Sequence, residues 1–352
     1  MTQRYREIEV SGTPAEMGRQ LGEAARDELH EFDAVLLERA NLEFPVKRET
    51  ALSLAARCVP YVEAYDPAML EELRGVSQSS GLSLEQLMLL QVRNQLKPEA
   101  VEGCTGFALK PEVCHSGSAT LGQNWDNDPG LDDYTVVLTR RPGGDEPAHI
   151  NITQVGRVAY IGFNEAGIGI CLNTLPAPSR ELGVPHYFTV RGIFQSRSLE
   201  EAVEAVGRAE RAIPANILLS TPQGPADLEV TLEDVHVLDA NQDGVLTHTN
   251  HCLHPELNPV KEEYSNLMQS CSRQRRVDAL LGHMEQPFTL EELCKVMSDH
   301  DDYPTSICRH PNDEPTTGYC RSVFSVIMEV DEGRMHVSRG NPCQTPYQTY
   351  TL

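Results

Sequence analysis

The stretch VEGCTGFAL, Val101 to Leu109, sets a glycine, a cysteine and a threonine at the front of an apolar run well inside the chain. A cysteine there has two readings. Free Cys is among the most buried residue types and often only fills space in a core. Alternatively, a cut of the Gly103–Cys104 peptide bond gives Cys104 a thiol and a free α-amino group on one residue. An α-amino group has a pKa of about 7.7–8.0, so near neutral pH much of it is the free base. It can take the thiol proton directly or through one water, and no catalytic histidine is then needed. Gly103 has no side chain, which leaves its carbonyl open to the thiol. The stretch by itself leaves both readings open.

Composition excludes several partners. The chain has 352 residues, 40% hydrophobic, enough for one large α/β domain with a sizeable core. Its formal charge of -23 disfavours nucleic acid and anionic membrane. No apolar run approaches the roughly 18 residues of a membrane span. The amino end, MTQRYREIEV, lacks the apolar core of a signal peptide, which points to the cytoplasm. The 10 cysteines are scattered singly with no CxxC, the usage of free thiols and not of a disulfide framework.

The first hundred residues read as helical. In TPAEMGRQLGEAARDELHEFDAVLLERA, Thr13 is a candidate N-cap with Pro14 after it. Met17, Leu21, Ala25 and Leu29 recur at fours, as one buried helical face does. Ser83 and Gln86 form a capping box at the start of SLEQLMLLQVRNQL. After Cys104 the texture turns to strands. YTVVLTR and AHINITQV flank a turn-rich link, and RVAYIGF and GIGICLNTL predict a second hairpin. A helix follows over SLEEAVEAVGRAERA, with Ser198 and Glu201 as box residues, and then the strands NILLSTP, ADLEVTL, DVHVLDA and GVLTHTN. Two more helices, SCSRQRRVDALLGH and TLEELCKVMSDH, precede the strand pair SVFSVIMEV and RMHVSRG. Two sheets between helical layers accommodate this order.

The order EGCTGFAL, LGQNWDNDPG, IGFNEAGIGICLNTL and THTNHCLHPE resembles the penicillin acyltransferase family, the acyl-coenzyme A:6-aminopenicillanic acid acyltransferase-like proteins. These are cysteine N-terminal-nucleophile (Ntn) hydrolases akin to the choloylglycine hydrolases. SGTPAEMGRQLGEAARDEL, EELRGVSQSSGLSLEQLMLL and GNPCQTPYQTYTL extend the likeness over most of the chain. The resemblance implies an α+β fold, the αββα sandwich of two antiparallel sheets between helix layers. It also implies self-cleavage before Cys104. A helical α fragment, residues 1–103, and a β fragment, residues 104–352, would stay associated as a heterodimer within one globular domain. The intact chain would be an inactive zymogen.

The same resemblance assigns Cys104 as nucleophile and Asp126, in GQNWDND, as the carboxylate near the new amino terminus. Asp126 also reads as an Asx turn, or with Asp128 and Asp132 as a calcium loop that lacks the bidentate glutamate. Asn250 matches an oxyanion-binding asparagine, and Asn173 a position facing the nucleophile; both also read as strand-end asparagines. Gln123 stands where the choloylglycine branch has arginine. An arginine is expected in the site, and Arg273, Arg276 and Arg309 compete, with Arg273 preferred. Thr105, Gln123 and Trp125 are candidate substrate contacts, although Trp125 reads equally as core packing. The proline-rich stretch PAPSRELGVPHYF is a candidate lid. Spacing by three in His248, His251 and His254 does not converge imidazoles, and neither metal nor cofactor is expected.

The chemistry implied is acyl transfer through a Cys104 thioester. Hydrolysis of a small N-acyl amine, N-acyl amino acid or short acyl peptide is the leading expectation, because water is the default acceptor. An acyl-CoA-dependent N-acyltransferase is the alternative, and a catalytically silent scaffold a further one. Expected partners are the small-molecule substrate, the two fragments of the chain and a possible homo-oligomer.

Overall fold

A computed structural model describes residues 3–42, 45–96, 103–263, 269–315 and 317–352. Val101 and Glu102 of the opening stretch lie outside the described residues. The front of the chain runs through β1 (Arg6–Gly12), α1 (Pro14–Ala24), α2 (Arg26–Ala40), α3 (Arg48–Tyr65), α4 (Pro67–Ser80) and α5 (Leu84–Val92). The wholly helical expectation misses β1, because the alternation of Ile8 and Val10 with Glu7 and Glu9 is too short to stand out before a long helix. Capping follows the sequence. The Thr13 hydroxyl accepts from the Glu16 amide while the Glu16 carboxylate accepts from the Thr13 amide, and Ser83 and Gln86 do the same. Met17, Leu21, Ala25 and Leu29 are all buried as predicted, although the helix breaks at Ala25. The backbones of α1 and α4 touch: a Cβ at Gly18 would sit 1.9 Å from the Glu72 carbonyl oxygen, so only glycine permits the crossing.

The rest of the chain adds β2 (Gly103–Leu109), β3 (Thr120–Asn127), β4 (Thr135–Pro142), β5 (His149–Gln154), β6 (Ile161–Asn164) and β7 (Gly169–Asn173). Then come α6 (His186–Phe194), α7 (Leu199–Gly207), β8 (Ala215–Ser220), β9 (Ala226–Val230), β10 (Val235–Asp239) and β11 (Val245–His248). The chain closes with α8 (Asn258–Glu263), α9 (Ser270–His283), α10 (Leu290–Met297), β12 (Arg321–Glu329), β13 (Arg334–Arg339) and β14 (Tyr347–Thr351). Both predicted hairpins, β4–β5 and β6–β7, form. The helix at Ser198 is shorter than expected and ends at Gly207. Its box is incomplete, because the Glu201 carboxylate accepts from the Arg197 amide and not from that of Ser198.

The strands build an eight-stranded sheet, β1-β4-β5-β6-β7-β8-β9-β10, and a six-stranded sheet, β11-β2-β3-β12-β13-β14. Every pairing is antiparallel except β1 with β4. β2 and β3 face β7 and β8 across the interior, α1 and α7 lie against the large sheet, and α9 and α10 cover the small one. This is the expected αββα sandwich. The helical front is not a separate layer set on top of it. β1 is an edge strand of the large sheet, and the buried Arg140 guanidinium donates to Glu72 of α4 at 2.7 Å.

Candidate active site

β2 and β3 pair in register with Gly103 opposite Asp126 and Cys104 opposite Trp125. Because strand side chains alternate, this ladder has two faces of different chemistry. Cys104, Ala108, Leu121 and Trp125 join the core between the sheets. Phe107 and Leu109 belong to the separate core under α9 and α10. The nucleophile candidate therefore points between the sheets, and its chain neighbour Thr105 points toward the helices.

Around Cys104 the expected residues converge. The Cys104 backbone N–H donates to Asn250 Oδ1 at 2.7 Å. One nitrogen of Arg273 donates to the Cys104 carbonyl and to Thr105 Oγ1, the latter at 2.9 Å. The other donates to Asn250 Oδ1 at 2.9 Å. Asn250 is itself positioned by its amide N–H, which donates to Ser270 Oγ at the start of α9 at 2.7 Å. One hydrogen of its NH₂ group goes to the Thr174 carbonyl at 2.9 Å. The oxygen of Asn250 thus faces the Cys104 nitrogen, and the second NH₂ hydrogen is left for another acceptor.

Asp126 is fully buried on the outer face. Its Oδ1 accepts from Ser322 Oγ at 2.6 Å, and its Oδ2 has no hydrogen-bond partner. Burial raises its pKa to about 6, and the positive charges of Arg273 and Arg309 limit the rise. A β-bulge makes the Ser322 contact possible. The register of β12 against β3 shifts between Ser322 and Phe324, so Ser322 opposes Asp126 on the outer face while Phe324 opposes Trp125 on the inner one.

The inner face corrects three expectations. Gln123 is turned to the backbone of β7: its NH₂ donates to the Leu172 carbonyl at 2.6 Å and its oxygen accepts from the Leu172 N–H at 2.8 Å. The side chain mimics a strand partner and ties β3 to β7. Trp125 packs between Tyr160 and Phe324 with ring centroids 5.8 and 5.0 Å away, which makes it core rather than wall. Asn173 spends its NH₂ group on Asn216 Oδ1 at 3.1 Å and the His248 carbonyl at 3.2 Å. It has no donor left for an oxyanion, and its buried Oδ1, with no hydrogen-bond partner, is an acceptor.

Of the rival arginines, Arg276 pairs with Asp299 and Asp301, away from Cys104. Arg309 is buried on the Asp126 side, its amide N–H donating to Ser322 Oγ at 3.0 Å. The histidine trio disperses. His248 contacts Glu229 at 2.9 Å, His251 contacts Ser270 Oγ at 2.7 Å, and His254 lies against His236. Asp128 pairs with Arg39, and Asp132 accepts from Tyr5 and Arg339, so the acidic loop is an anchor for the helical front and not a calcium loop. The lid candidate is strapped down as well, with Arg180 N–H on the Ala212 carbonyl and Val184 N–H on the Glu210 carbonyl.

Sequence reasoning missed Ser270, Ser322 and a buried network behind Asn173. There Asn216 bonds Asp227, and His248 lies between Asp227 and Glu229. Burial works against the imidazolium of His248, but the two carboxylates outweigh it and raise its pKa. No local pattern marks these residues, because their partners sit on other strands.

The family and sequence matches agree with the reading of the motifs. Residues 114–344 match the family model described as acyl-coenzyme A:6-aminopenicillanic acid acyl-transferase. The 40 kDa form of acyl-coenzyme A:6-aminopenicillanic-acid-acyltransferase from Emericella nidulans is 28% identical over 356 residues, covering 98% of this chain and 95% of that protein. Among solved structures, penicillin V acylase from Agrobacterium tumefaciens aligns with a TM-score of 0.48 at 12% identity, over 71% of this chain and 86% of its own. A variant of conjugated bile acid hydrolase from Clostridium perfringens aligns with a TM-score of 0.44 at 15% identity, over 71% and 97%. By the family match, which spans most of its length, this chain belongs to the acyl-coenzyme A:6-aminopenicillanic acid acyl-transferase family.

Proposed function

We propose that this chain is a self-processing cysteine Ntn amidohydrolase of the cytoplasm that cleaves the amide of a small N-acyl amine, N-acyl amino acid or short acyl peptide. The observation that carries the reading is the hydrogen bond from the Cys104 N–H to Asn250 Oδ1, with Arg273 on both Asn250 and the Cys104 carbonyl. In processing, the Cys104 sulfur attacks the Gly103 carbonyl, the C–N bond breaks, and the nitrogen leaves as an amine already held by Asn250. Water splits the resulting thioester, leaving a carboxylate on Gly103. Residues 1–103 remain bound as the α fragment, because β1 and Glu72 are anchored in the body of residues 104–352.

In turnover, the α-amine takes the thiol proton as the sulfur attacks the substrate amide, then passes it to the departing amine. The second N–H of Asn250 assists the oxyanion, and Asp126 with Arg273 sets the charge around the amine. Water then releases the acid. Acyl transfer to an amine acceptor is the second reading, favoured by the family match and by the name of the Emericella relative. Mass spectrometry of the mature β fragment, paired with a panel of N-acyl compounds and acyl-CoA plus amine pairs, tests both. A Cys104 start with amine release is expected. An active enzyme whose only amino terminus is Met1 would overturn the proposal.

A further inference from the structure

Four side chains cluster away from Cys104. His300, Cys308, His310 and Cys343 bring one ligand atom each to a common point, all within 4.8 Å of one another. Cys308 Sγ lies 3.6 Å from Cys343 Sγ and 3.6 Å from His310 Nε2. Cys343 Sγ lies 3.5 Å from His310 Nε2, and His300 Nε2 lies 3.1 Å from it. A tetrahedral zinc ion, with Zn–S of about 2.3 Å and Zn–N of about 2.05 Å, requires edges of about 3.8 Å between sulfurs, about 3.5 Å between sulfur and nitrogen and about 3.3 Å between nitrogens. These four edges match to within a few tenths of an ångström.

Hydrogen bonding alone does not account for this packing. His310 Nε2 faces three neighbours, yet one imidazole nitrogen carries either one hydrogen or one lone pair. A cation at the centre gives each of the four atoms its partner at once. We propose that these residues bind zinc as a closed Cys₂His₂ structural site. Binding displaces a proton from each thiol and uses both imidazoles in their neutral form. Four protein ligands leave no open position, so the ion serves structure and not catalysis. Asn341 adds an outer contact, donating to Cys308 Sγ at 3.5 Å and to the Arg309 carbonyl at 2.7 Å.

The position explains what such an ion would do. Residues 298–320, between α10 and β12, have among their described residues neither helix nor strand, although Ser306 to His310 are buried. A long irregular segment needs a tether to hold buried backbone in place. Cys308 and His310 flank Arg309, whose N–H donates to Ser322 Oγ, which in turn donates to Asp126. The ion would thus pin the support of Asp126 from behind. The spacing Cys308-Arg309-His310 is visible in the sequence, but His300 and Cys343 reach it only through the fold.

Zinc content of the chain purified without chelator, by plasma mass spectrometry, should be about one equivalent per chain and fall toward zero in Cys308→Ser. Cobalt(II) added to the metal-stripped wild-type protein should give tetrahedral d–d bands and a thiolate charge-transfer band. This arm decides the matter if the variant does not fold. No zinc after reconstitution, or a cobalt spectrum without the thiolate band, overturns the site. So does a full equivalent retained by Cys308→Ser, or a denatured unreduced chain two hydrogens lighter through a Cys308–Cys343 disulfide. None of these readouts depends on enzymatic activity.

Discussion

The two faces of the β2–β3 ladder put their polar residues to different ends. On the inner face, Gln123 is satisfied by the backbone of β7, and Cys104 and Trp125 are packed among apolar side chains. On the outer face, Thr105, Asn124 and Asp126 meet Arg273, Ser322 and the carbonyls of Met297 and Ile307. Cys104, the proposed nucleophile, is thus held on the face built for packing, and charge is managed on the other. Cys104 apart, inner-face changes should act through stability and outer-face changes through protonation and charge.

The largest effect falls on Cys104, the inner-face exception. Cys104→Ala should leave a single uncut chain with no acyl turnover, read on a denaturing gel and in an amine-release assay; a chain that still splits before residue 104 breaks the self-processing idea. Asn250→Ala should lower kcat by about 10²–10³, the usual loss for an oxyanion donor. Its processing should slow too, since Asn250 Oδ1 holds the scissile nitrogen. An unchanged kcat removes Asn250 from the chemistry.

Asp126 sharpens the comparison through pH. Its folded pKa is raised from 3.8 to about 6, so in the uncut chain the folded state binds a proton that the unfolded state has released. Its contribution to stability therefore declines as pH rises from about 4 toward about 6. Self-cleavage, if it requires the carboxylate, should accelerate over the upper part of that window. Asp126→Asn should abolish this limb in a timed gel series, and a limb that survives assigns it to another group. The smallest effect on chemistry belongs to Gln123→Leu, which strands the N–H and C=O of Leu172 in the core. A loss of about 2–4 kcal/mol in denaturant unfolding is expected, from about 1–3 kcal/mol per buried unpaired group. Turnover per folded molecule should hardly change. A large fall in kcat at normal stability would reverse the assignment of the inner face.

Much of this architecture was legible beforehand. Capping boxes at Thr13 and Ser83, the buried repeat from Met17 to Leu29 and both hairpins follow from local chemistry, because each partner lies a few residues away. The parallel strand β1 was not legible, since its partner β4 begins more than a hundred residues later. Within the site, Cys104, Asp126, Asn250 and Arg273 are nameable from motifs and lie near one another, whereas Gln123, Trp125 and Asn173 spend their side chains on the fold. Residue type does not say which face of a strand a side chain will occupy or who will stand across from it.

By itself, the sequence determined the periodicities, the caps and a cysteine preceded by glycine at the head of an apolar strand. Those depend on backbone and solvent, which act over a turn or two. The tertiary structure alone decided that a one-residue bulge near Ser322 turns its hydroxyl toward Asp126, that Gln123 ties β3 to β7, and that two cysteines and two histidines converge. The reason is geometric: register and packing place side chains by distances across strands, and sequence spacing carries no measure of those.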